Sequence, residues 1–398
     1  MTRLIFLLVC IIRVIPCDAQ NYSRFTQTTR MFYISPSVAE KVLQNLSANA
    51  QIPFVVEDSV AFLYRGEATS VLWMGDFNGS GYDKKFPNKG SRIPGTDIWI
   101  LKASFPQDAR LDYKILVNES TWVLDPENPH QQWSGVGGGT PNSELRMPHW
   151  KEDPITQPMP AIFHGRVIQD LLIKSEHLGY QISYSIYLPP DFNPSTRKVY
   201  PVIYVTDGYE YLHERMGNMA TILDNLIHLQ KIKPVIAIFI DHREPVNRIN
   251  NRRMQELALN EQYLAFITKE LIPRVESKYP IATDAKSRAI LGTSMGGLTA
   301  AYFAFSKPDV FGMAGIQSPA FWFRPEIYTL CDSPENPPVK IFMTTGLIND
   351  TQEGAEKMRS ILDKNTCNYQ FQQVNQGHSW GNWRDLIDDI LVYFFPTE

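Results

Sequence analysis

From residue 160 onward, short apolar segments alternate with longer segments of helical periodicity, and this alternation restricts the possible fold most strongly. The predicted strands are VIQDLLI, YQISYSIYL, PVIYVTDG, PVIAIFID, RAILGTS, GMAGIQSP, VKIFMTTG and YQFQQV. The predicted helices lie at 217–230, 255–279, 295–306, 352–364 and 380–394. Buried strands joined by helical crossovers are typical of a mostly parallel sheet with helices on both faces. The first two strands, which follow each other directly, predict an opening strand pair.

Residues 54–133 have a different pattern, in which apolar or alternating runs such as VAFLYRG, DIWILKASF and LDYKILVN are separated by Gly, Pro, Asn and Asp. Turn residues at such spacing predict an all-β sandwich. Residues 134–160 are rich in Gly and Pro and have little periodicity, which predicts a linker. The sequence thus divides into five predicted segments. These are a signal peptide (1–19), an N-terminal segment (20–53), a β-sandwich (54–133), a linker (134–160) and an α/β domain (161–398).

The N-terminus has the pattern of an export signal. Arg3 precedes an apolar run from Leu4 to Ile12, and small residues follow near Ala19. This order predicts a secretory signal peptide that is cleaved near Ala19, and hence a secreted or periplasmic protein. A membrane anchor is the alternative, but the run is short and is interrupted by Arg13 and Pro16.

Composition supports a soluble globular protein with two domains. Of 398 residues, 43% are hydrophobic and 20% are charged, and the net charge is −4 without a basic block, which disfavours a nucleic-acid partner. The mature chain would keep Cys331 and Cys367. In an oxidising compartment the two cysteines could form a disulfide bond, or they could be two thiols, and both alternatives stay open.

The junction between RAILGTS and the next helix carries the most specific chemical pattern. Gly292-Thr293-Ser294-Met295-Gly296 matches the G-x-S-x-G nucleophile elbow, which lies between a strand and a helix. Glycines on both sides of a strained corner let neighbouring backbone approach closely. A hydroxyl there lies near a helix N-terminus, where amide groups stabilise developing negative charge. The alternative is a tight turn in which Ser294 has no chemical role.

A serine nucleophile needs a base and an acid, which in this fold follow it along the chain. His378 is the single histidine after Ser294 and lies between the last strand and the last helix. Asp350 follows the strand VKIFMTTG and is the predicted acid; capping of the next helix is the alternative role for it. The predicted catalytic residues are therefore Ser294, His378 and Asp350.

Backbone N–H groups should stabilise the oxyanion. One is expected from Met295, after the nucleophile, and the other from Gly208 or Tyr209, after the strand PVIYVTDG. Asp207 precedes Ser294, and we expect it to shape the turn.

The loops near these positions are rich in aromatic residues, and we predict that Trp322, Trp380 and Arg253 bind substrate. An aromatic cleft would suit an aryl or sugar-bearing ester. Ordinary packing of the loops is the alternative.

Residues 160–398 contain, in this order, the segments YVTDGYEY, RRMQELALNEQYLAFITKELIPRV, ILGTSMGGLTAAYFAFSKPDVFG, QSPAFWF, TTGLIND and GHSWGNWR. On these segments, residues 160–398 resemble the enterochelin esterase and esterase D family of α/β-hydrolases. Residues 54–130, with MGDFNG, PGTDIWIL and DARLDYKILVN, resemble an early-set immunoglobulin-like domain.

The resemblance implies hydrolysis of carboxylic esters without a metal or organic cofactor, with Ser294 as nucleophile and His378 as base. The family places its acid at positions matching either Asp350 or Asn349. Exported relatives include feruloyl and acetyl esterases that act on plant polysaccharides. The expected substrate is therefore a small-molecule ester of the siderophore or aryl type, and a polysaccharide-linked ester or acyl transfer to an alcohol is the alternative. A binding protein with an inactive hydrolase domain is less consistent with the intact Ser, His and Asp.

Overall fold

The computed structural model describes residues 17–78, 87–135, 139–195, 198–332 and 339–397. Within these ranges the chain forms an N-terminal unit of two helices and two antiparallel sheets, followed by a C-terminal unit built on one large sheet. The apolar run 4–12, on which the predicted signal peptide rests, lies outside the described residues. The first described helix begins at Cys17 and continues past Ala19, the predicted cleavage position.

The strands and helices of the described residues are as follows. The N-terminal unit contains α1 (Cys17–Met31), α2 (Pro36–Ala48), β1 (Phe54–Val56), β2 (Ser59–Arg65), β3 (Val71–Gly75), β4 (Ser91–Arg92), β5 (Ile98–Ser104), β6 (Arg110–Val117), β7 (Thr121–Val123), β8 (Gln131–Ser134) and β9 (Thr140–Arg146). The strands of the C-terminal unit are β10 (Arg166–Lys174), β11 (Gln181–Leu188), β12 (Val202–Val205), β13 (Ile236–Asp241), β14 (Arg288–Thr293), β15 (Met313–Gln317), β16 (Lys340–Gly346) and β17 (Tyr369–Val374). Its helices are α3 (Gly208–Leu212), α4 (Met219–His228), α5 (Arg253–Glu256), α6 (Glu261–Phe266), α7 (Ile272–Glu276), α8 (Met295–Ser306), α9 (Glu326–Cys331), α10 (Gln352–Lys364), α11 (Trp380–Arg384) and α12 (Ile387–Phe394).

The N-terminal unit packs two antiparallel sheets against each other. Among the described residues one sheet has the order β1-β2-β5-β4, and the other has the order β3-β6-β9-β8 with β7 beside β6. Alternate residues of β2 face opposite sides, as strand geometry requires. Val60 and Phe62 point into the sandwich core, whereas Ala61 and Leu63 point outward. The outward face is also apolar and therefore needs a cover.

Helices α1 and α2 provide this cover. Phe25 of α1 and Leu43 of α2 share a core with Ile98 and Ile100 of β5. Helix α2 begins where the sequence supplies a cap, because the Ser35 hydroxyl accepts a hydrogen bond from the Val38 amide at 3.3 Å and Pro36 occupies the first helical position. The segment 20–53 is thus part of the N-terminal unit.

The predicted linker over residues 134–160 is wrong for its central part. Residues 140–146 form β9, which pairs with β6 and with β8 in the second sheet. The sequence did not predict this strand because TPNSELR has no apolar alternation. Of its residues, only Ser143, Glu144 and Leu145 are buried. Its position in the sheet comes from backbone pairing with β6 on one side and with β8 on the other.

The C-terminal unit has a mostly parallel sheet, as predicted. In the described residues its strand order is β10-β11-β13-β12-β14-β15-β16-β17. The predicted opening pair, β10 and β11, is antiparallel, and every pair from β13 to β17 is parallel. The carboxyl ends of β12, β14, β15 and β16 therefore lie at one edge, where sites form in such sheets.

Helices cover both faces of this sheet. On one face Ile290 of β14 packs in a core with residues of α6, α7, α8 and α10. On the other face Leu291 packs in a core with residues of α4 and α12. The predicted helix 255–279 is realised over 261–276, where α6, a π-helical turn and α7 follow one another. The predicted helix 380–394 is divided into α11 and α12.

Cys331 and Cys367 are both thiols in the structure, so the disulfide alternative is wrong. Every helix in the described part of the chain falls short of the length or apolar character that crossing a bilayer requires.

Candidate active site

The backbone turns sharply at Ser294, between β14 and α8. Ser294 has φ 58° and ψ −115°, a conformation that non-glycine residues rarely adopt. A Cβ atom on Gly292 would lie 2.3 Å from the Gly296 carbonyl oxygen, and one on Gly296 would lie 2.4 Å from Thr206 Oγ1. Both glycines are therefore required by close contact, and the corner that they permit leaves Ser294 partly exposed.

The structure brings Ser294, His378 and Asp350 into one hydrogen-bonded row. His378 Nε2 lies 3.0 Å from Ser294 Oγ, and His378 Nδ1 lies 2.6 Å from Asp350 Oδ1. His378 comes from the loop between β17 and α11, and Asp350 comes from the loop after β16. The Asp350 side chain is fully buried, whereas that of His378 is 36% exposed at the cleft. This geometry lets the imidazole accept the serine proton while the carboxylate fixes the ring.

The second carboxylate oxygen of Asp350 is held by groups that sequence reasoning missed. Gly346 N–H donates to Oδ2 at 2.5 Å, and the Ser318 hydroxyl donates to it at 2.6 Å. Burial raises the pKa of Asp350, but the hydrogen bonds and charge of His378, with those from Ser318 and Gly346, outweigh burial and hold the pKa below its ordinary value. The helix α10 has Thr351 at its cap, so the alternative role of Asp350 as cap residue is wrong.

Ser318 has a further partner that orders this side of the site. Trp383 Nε1 donates to the Ser318 hydroxyl at 2.9 Å, and the Trp383 ring meets the His378 ring edge-on at a centroid distance of 4.9 Å. Ser318 follows β15, the strand between β14 and β16. A polar residue at that strand end was the signal by which the sequence could have revealed it.

The loop after β12 lies beside the serine corner. Strand β12 pairs in parallel with β14, and Gly208 and Tyr209 form the first turn of α3. A Cβ atom on Gly208 would lie 2.4 Å from the Ile240 amide nitrogen, so this position also requires glycine. The first N–H groups of a helix have no partner within the helix. Met295, the other predicted donor, is the first residue of α8.

Arg253, which is predicted to bind substrate, has partners within the protein, and its contact with substrate stays a prediction. Its guanidinium binds the Asp207 carboxylate at 2.6 and 2.9 Å and donates to the Thr293 carbonyl at 3.1 Å. The Arg253 side chain is 13% exposed. Through its Nε and Nη2 donors it therefore connects the residue before Gly208 with the residue before Ser294.

Trp380 is predicted wrongly as a substrate contact. Its ring is 1% exposed and packs edge-on against Tyr211 and Trp383, and its Nε1 donates to Glu210 Oε2 at 3.0 Å. Burial is the main reason that the pKa of Glu210 is raised to about 8, and the carboxylate of Asp207 adds to it. The Trp380 side chain is thus part of the core, and it is hydrogen-bonded to a buried carboxyl group.

A cleft of about 470 Å³ opens above the serine. Ser294, His378 and Asp350 line it together with Trp322, whose side chain is 73% exposed. Trp322 therefore lies beside the site, and its contact with substrate stays a prediction. Its exposed ring offers an apolar surface at the cleft rim.

The N-terminal unit reaches the same cleft. Gly75 and Asp76, at the end of β3, contribute to its lining. Burial, followed by the carboxylate of Asp112, raises the pKa of Asp76 to about 7. Sequence reasoning assigned no site residue to this unit, because two residues at the end of one strand carry no recognisable pattern.

A parallel sheet with a serine elbow, and with a histidine and an aspartate from later strand ends, defines the α/β-hydrolase class. The model of the Esterase family matches residues 175–394, which is more than half of the 398-residue chain. The chain therefore belongs to the Esterase family and is a carboxylic-ester hydrolase.

Similar proteins include enterobactin and feruloyl esterases. The iron(III) enterobactin esterase of Escherichia coli O6:H1 is 25% identical over 319 residues, which cover 73% of this chain and 72% of that protein. The endo-1,4-beta-xylanase/feruloyl esterase of Xylanibacter ruminicola is 28% identical over 193 residues, 44% of this chain and 26% of that protein. The crystal structure of ferric enterobactin esterase from Salmonella typhimurium has a TM-score of 0.71 at 22% identity and covers 84% of this chain and 93% of that one. The last similarity shows that the fold is shared over both units.

Proposed function

We propose that this chain is a serine esterase in which Ser294 is the nucleophile, His378 the general base and acid, and Asp350 the residue that orients the base. The observation that carries the proposal is the hydrogen-bonded row from Ser294 Oγ through the His378 ring to Asp350 Oδ1, at 3.0 and 2.6 Å. A serine hydroxyl is a weak nucleophile unless a base removes its proton as it attacks. Asp350 is buried with a lowered pKa, so it stays ionised and can stabilise the imidazolium that forms.

The proposed reaction has two steps. Ser294 Oγ attacks the ester carbonyl while its proton passes to His378 Nε2, and the carbonyl oxygen becomes an oxyanion. The amides of Met295 and of Gly208 or Tyr209 stabilise this charge. When the intermediate collapses, the alcohol leaves with the proton from His378 and Ser294 keeps the acyl group. Water then attacks the acyl-enzyme while His378 Nε2 accepts its proton. Return of that proton to Ser294 Oγ releases the acid and restores the serine.

For the substrate we propose an ester of the siderophore lactone or aryl type. Two observations support this choice. The relatives named iron(III) enterobactin esterase align with most of this chain, and the fold of such an esterase covers both of its units. In addition, Trp322 exposes an indole ring at the cleft, and aromatic faces favour stacking with aryl groups.

A feruloyl or acetyl esterase that acts on plant polysaccharide is the second candidate. It is favoured by the 28% identity to the xylanase/feruloyl esterase, although that similarity covers less of the chain. Transfer of the acyl group to an alcohol in place of water is a variant of the same chemistry. We further propose that the N-terminal sandwich is an early-set immunoglobulin-like domain and that the chain is exported.

The test is a substrate panel measured on the wild type and on Ser294→Ala in parallel. p-Nitrophenyl acetate reports the chemistry, enterobactin and feruloylated arabinoxylan distinguish the two substrate classes, and an added alcohol acceptor reveals acyl transfer. We expect Ser294→Ala to lose turnover of every ester, and the wild type to prefer enterobactin. Unchanged turnover by a clean preparation of Ser294→Ala would refute the serine mechanism, and a preference for arabinoxylan would favour the second candidate.

A further inference from the structure

We propose that the N-terminal unit positions the base and the acid of the active site, with Arg110 of β6 as its main positioning residue. This inference rests on the proposed function, because it assumes that His378 and Asp350 act on Ser294. The loop of Asp350 contacts the N-terminal unit just before the acid, and the loop of His378 contacts it before and after the base.

The loop of Asp350 is fixed by the two residues that precede it. Ile348 is 5% exposed and packs in the core of the N-terminal sandwich, although it belongs to the C-terminal part of the chain. The side-chain amide of Asn349 donates to the carbonyl oxygen of Asp76 at 3.1 Å. An apolar anchor and a directed hydrogen bond therefore hold the backbone immediately before Asp350.

The loop of His378 is fixed before and after the histidine. Arg110 N–H donates to the Asn375 carbonyl at 3.3 Å, and Arg110 forms an isolated parallel bridge with Gln376. On the other side, Arg110 Nη1 donates to the Ser379 hydroxyl at 3.2 Å. One residue of the N-terminal unit thus contacts both flanks of the base.

The approach of the two units depends on two glycines, Gly377 in this loop and Gly381 in the helix α11 that follows it. A Cβ atom on Gly377 would lie 2.3 Å from the Cβ atom of Asp76, and one on Gly381 would lie 2.0 Å from the Arg110 guanidinium carbon. Larger residues would separate the loop from the sandwich. The contact is therefore built into the sequence of the loop.

Arg110 has a fixed orientation of its own. It is fully buried, its Nε binds Glu144 at 2.6 Å, and its Nη2 binds Asp112. Arg110 and Asp112 point to the same face because they are two residues apart on β6, and Glu144 lies opposite Asp112 on β9. Charge-assisted hydrogen bonds of this kind restrict a guanidinium to one geometry. The remaining nitrogen is thereby directed at Ser379.

The test compares Arg110→Gln, Arg110→Lys and Ser379→Ala with the wild type in the full chain, at a temperature where circular dichroism shows each variant folded. With p-nitrophenyl acetate we expect kcat to fall at least about tenfold in Arg110→Gln, with KM changed less than threefold, because orientation affects the reacting state more than substrate binding. Arg110→Lys should retain part of the rate, since one charged donor remains. Ser379→Ala, which removes a single hydroxyl group and leaves the Arg110 ion pairs in place, should lose about three- to tenfold in kcat.

The matched control is Arg288→Gln. Arg288 is also buried and ion-paired, with Glu276, but it lies at the start of β14, at the opposite end from Ser294. Its loss should lower the melting temperature while kcat stays at the wild-type value. Wild-type kcat in both Arg110→Gln and Ser379→Ala would overturn the inference. If Ser294→Ala itself retains turnover, the proposed function fails instead, so the two failures are distinguishable.

Discussion

Arg253 binds both carboxylate oxygens of Asp207, and the same guanidinium donates to the carbonyl oxygen of Thr293. Asp207 directly precedes Gly208, and Thr293 directly precedes Ser294. Arg253 therefore sets the spacing between the two backbone segments that we propose to hold the oxyanion.

From this relationship we predict a loss of rate in Arg253→Lys. A lysine is a single point donor and cannot bind a carboxylate through two nitrogens while reaching a third acceptor. We expect kcat for p-nitrophenyl acetate to fall about ten- to a hundredfold with KM little changed, which is less than the loss of a complete oxyanion donor. Steady-state kinetics measure both constants. A raised KM at constant kcat would show instead that Arg253 binds substrate.

Asp350→Asn should leave the fold intact and reduce kcat about 10³- to 10⁴-fold, because an amide in place of the carboxylate favours the wrong tautomer of His378. The asparagine is nearly the same size and can still accept hydrogen bonds from Ser318 and Gly346. The exposed Asp363→Asn, in helix α10, is the control and should behave as the wild type. Equal kcat in Asp350→Asn and wild type would exclude Asp350 as the acid and direct attention to Asn349.

Glu210→Gln should change how stability depends on pH. The pKa of Glu210 is about 8 in the folded protein and ordinarily 4.5. Between these values the folded protein binds a proton that the unfolded chain has lost, so the free energy of unfolding decreases as pH rises from about 4.5 to 8. Glutamine keeps an acceptor for Trp380 Nε1 and cannot ionise.

Thermal melts at several pH values measure this effect. The melting temperature of Glu210→Gln relative to the wild type should increase steadily from pH 5 to pH 8. The exposed neighbour Glu214→Gln serves as control and should give a curve parallel to the wild type. A difference between Glu210→Gln and wild type that is the same at every pH would contradict the prediction.

Trp322→Ala should weaken binding of aryl esters and leave small esters unaffected. An aromatic contact contributes about 0.5–1.5 kcal/mol beyond area burial, which corresponds to about two- to tenfold in KM. Kinetics with ethyl acetate, which has no ring, and with ethyl benzoate, which has an aromatic acyl group, separate the two cases. Phe163→Ala, which removes another exposed aromatic ring that does not line the cleft, is the matched control. If KM rises for neither ester, Trp322 does not contact the acyl group.

The sequence predicted most reliably what depends on local backbone geometry. The glycines around Ser294 and the strand before it define the corner, and chain order then suggests His378 and Asp350. The alternation of strands and helices likewise predicted the parallel sheet. These features are local or periodic, so a single sequence contains them.

The sequence alone could not predict the direction of side chains or the contacts between the two units. Trp380 and Trp322 are both tryptophans near strand ends, but the first turns into the core and the second into solvent. Arg253 finds its acceptors only once β12 and β14 are paired. The interaction of Arg110 with Ser379 joins residues that lie 269 positions apart in the chain, and neither residue has a pattern that predicts the other.

The central claim, that Ser294 is an activated nucleophile, is tested most directly by labelling with a fluorophosphonate and peptide mass spectrometry. The wild type should gain one adduct per chain, on the peptide that contains Ser294. Ser294→Ala should gain none, and His378→Ala should react much more slowly, because its serine lacks the base. An esterase preparation that stays active after saturating treatment, or that carries the adduct at another residue, would contradict the account.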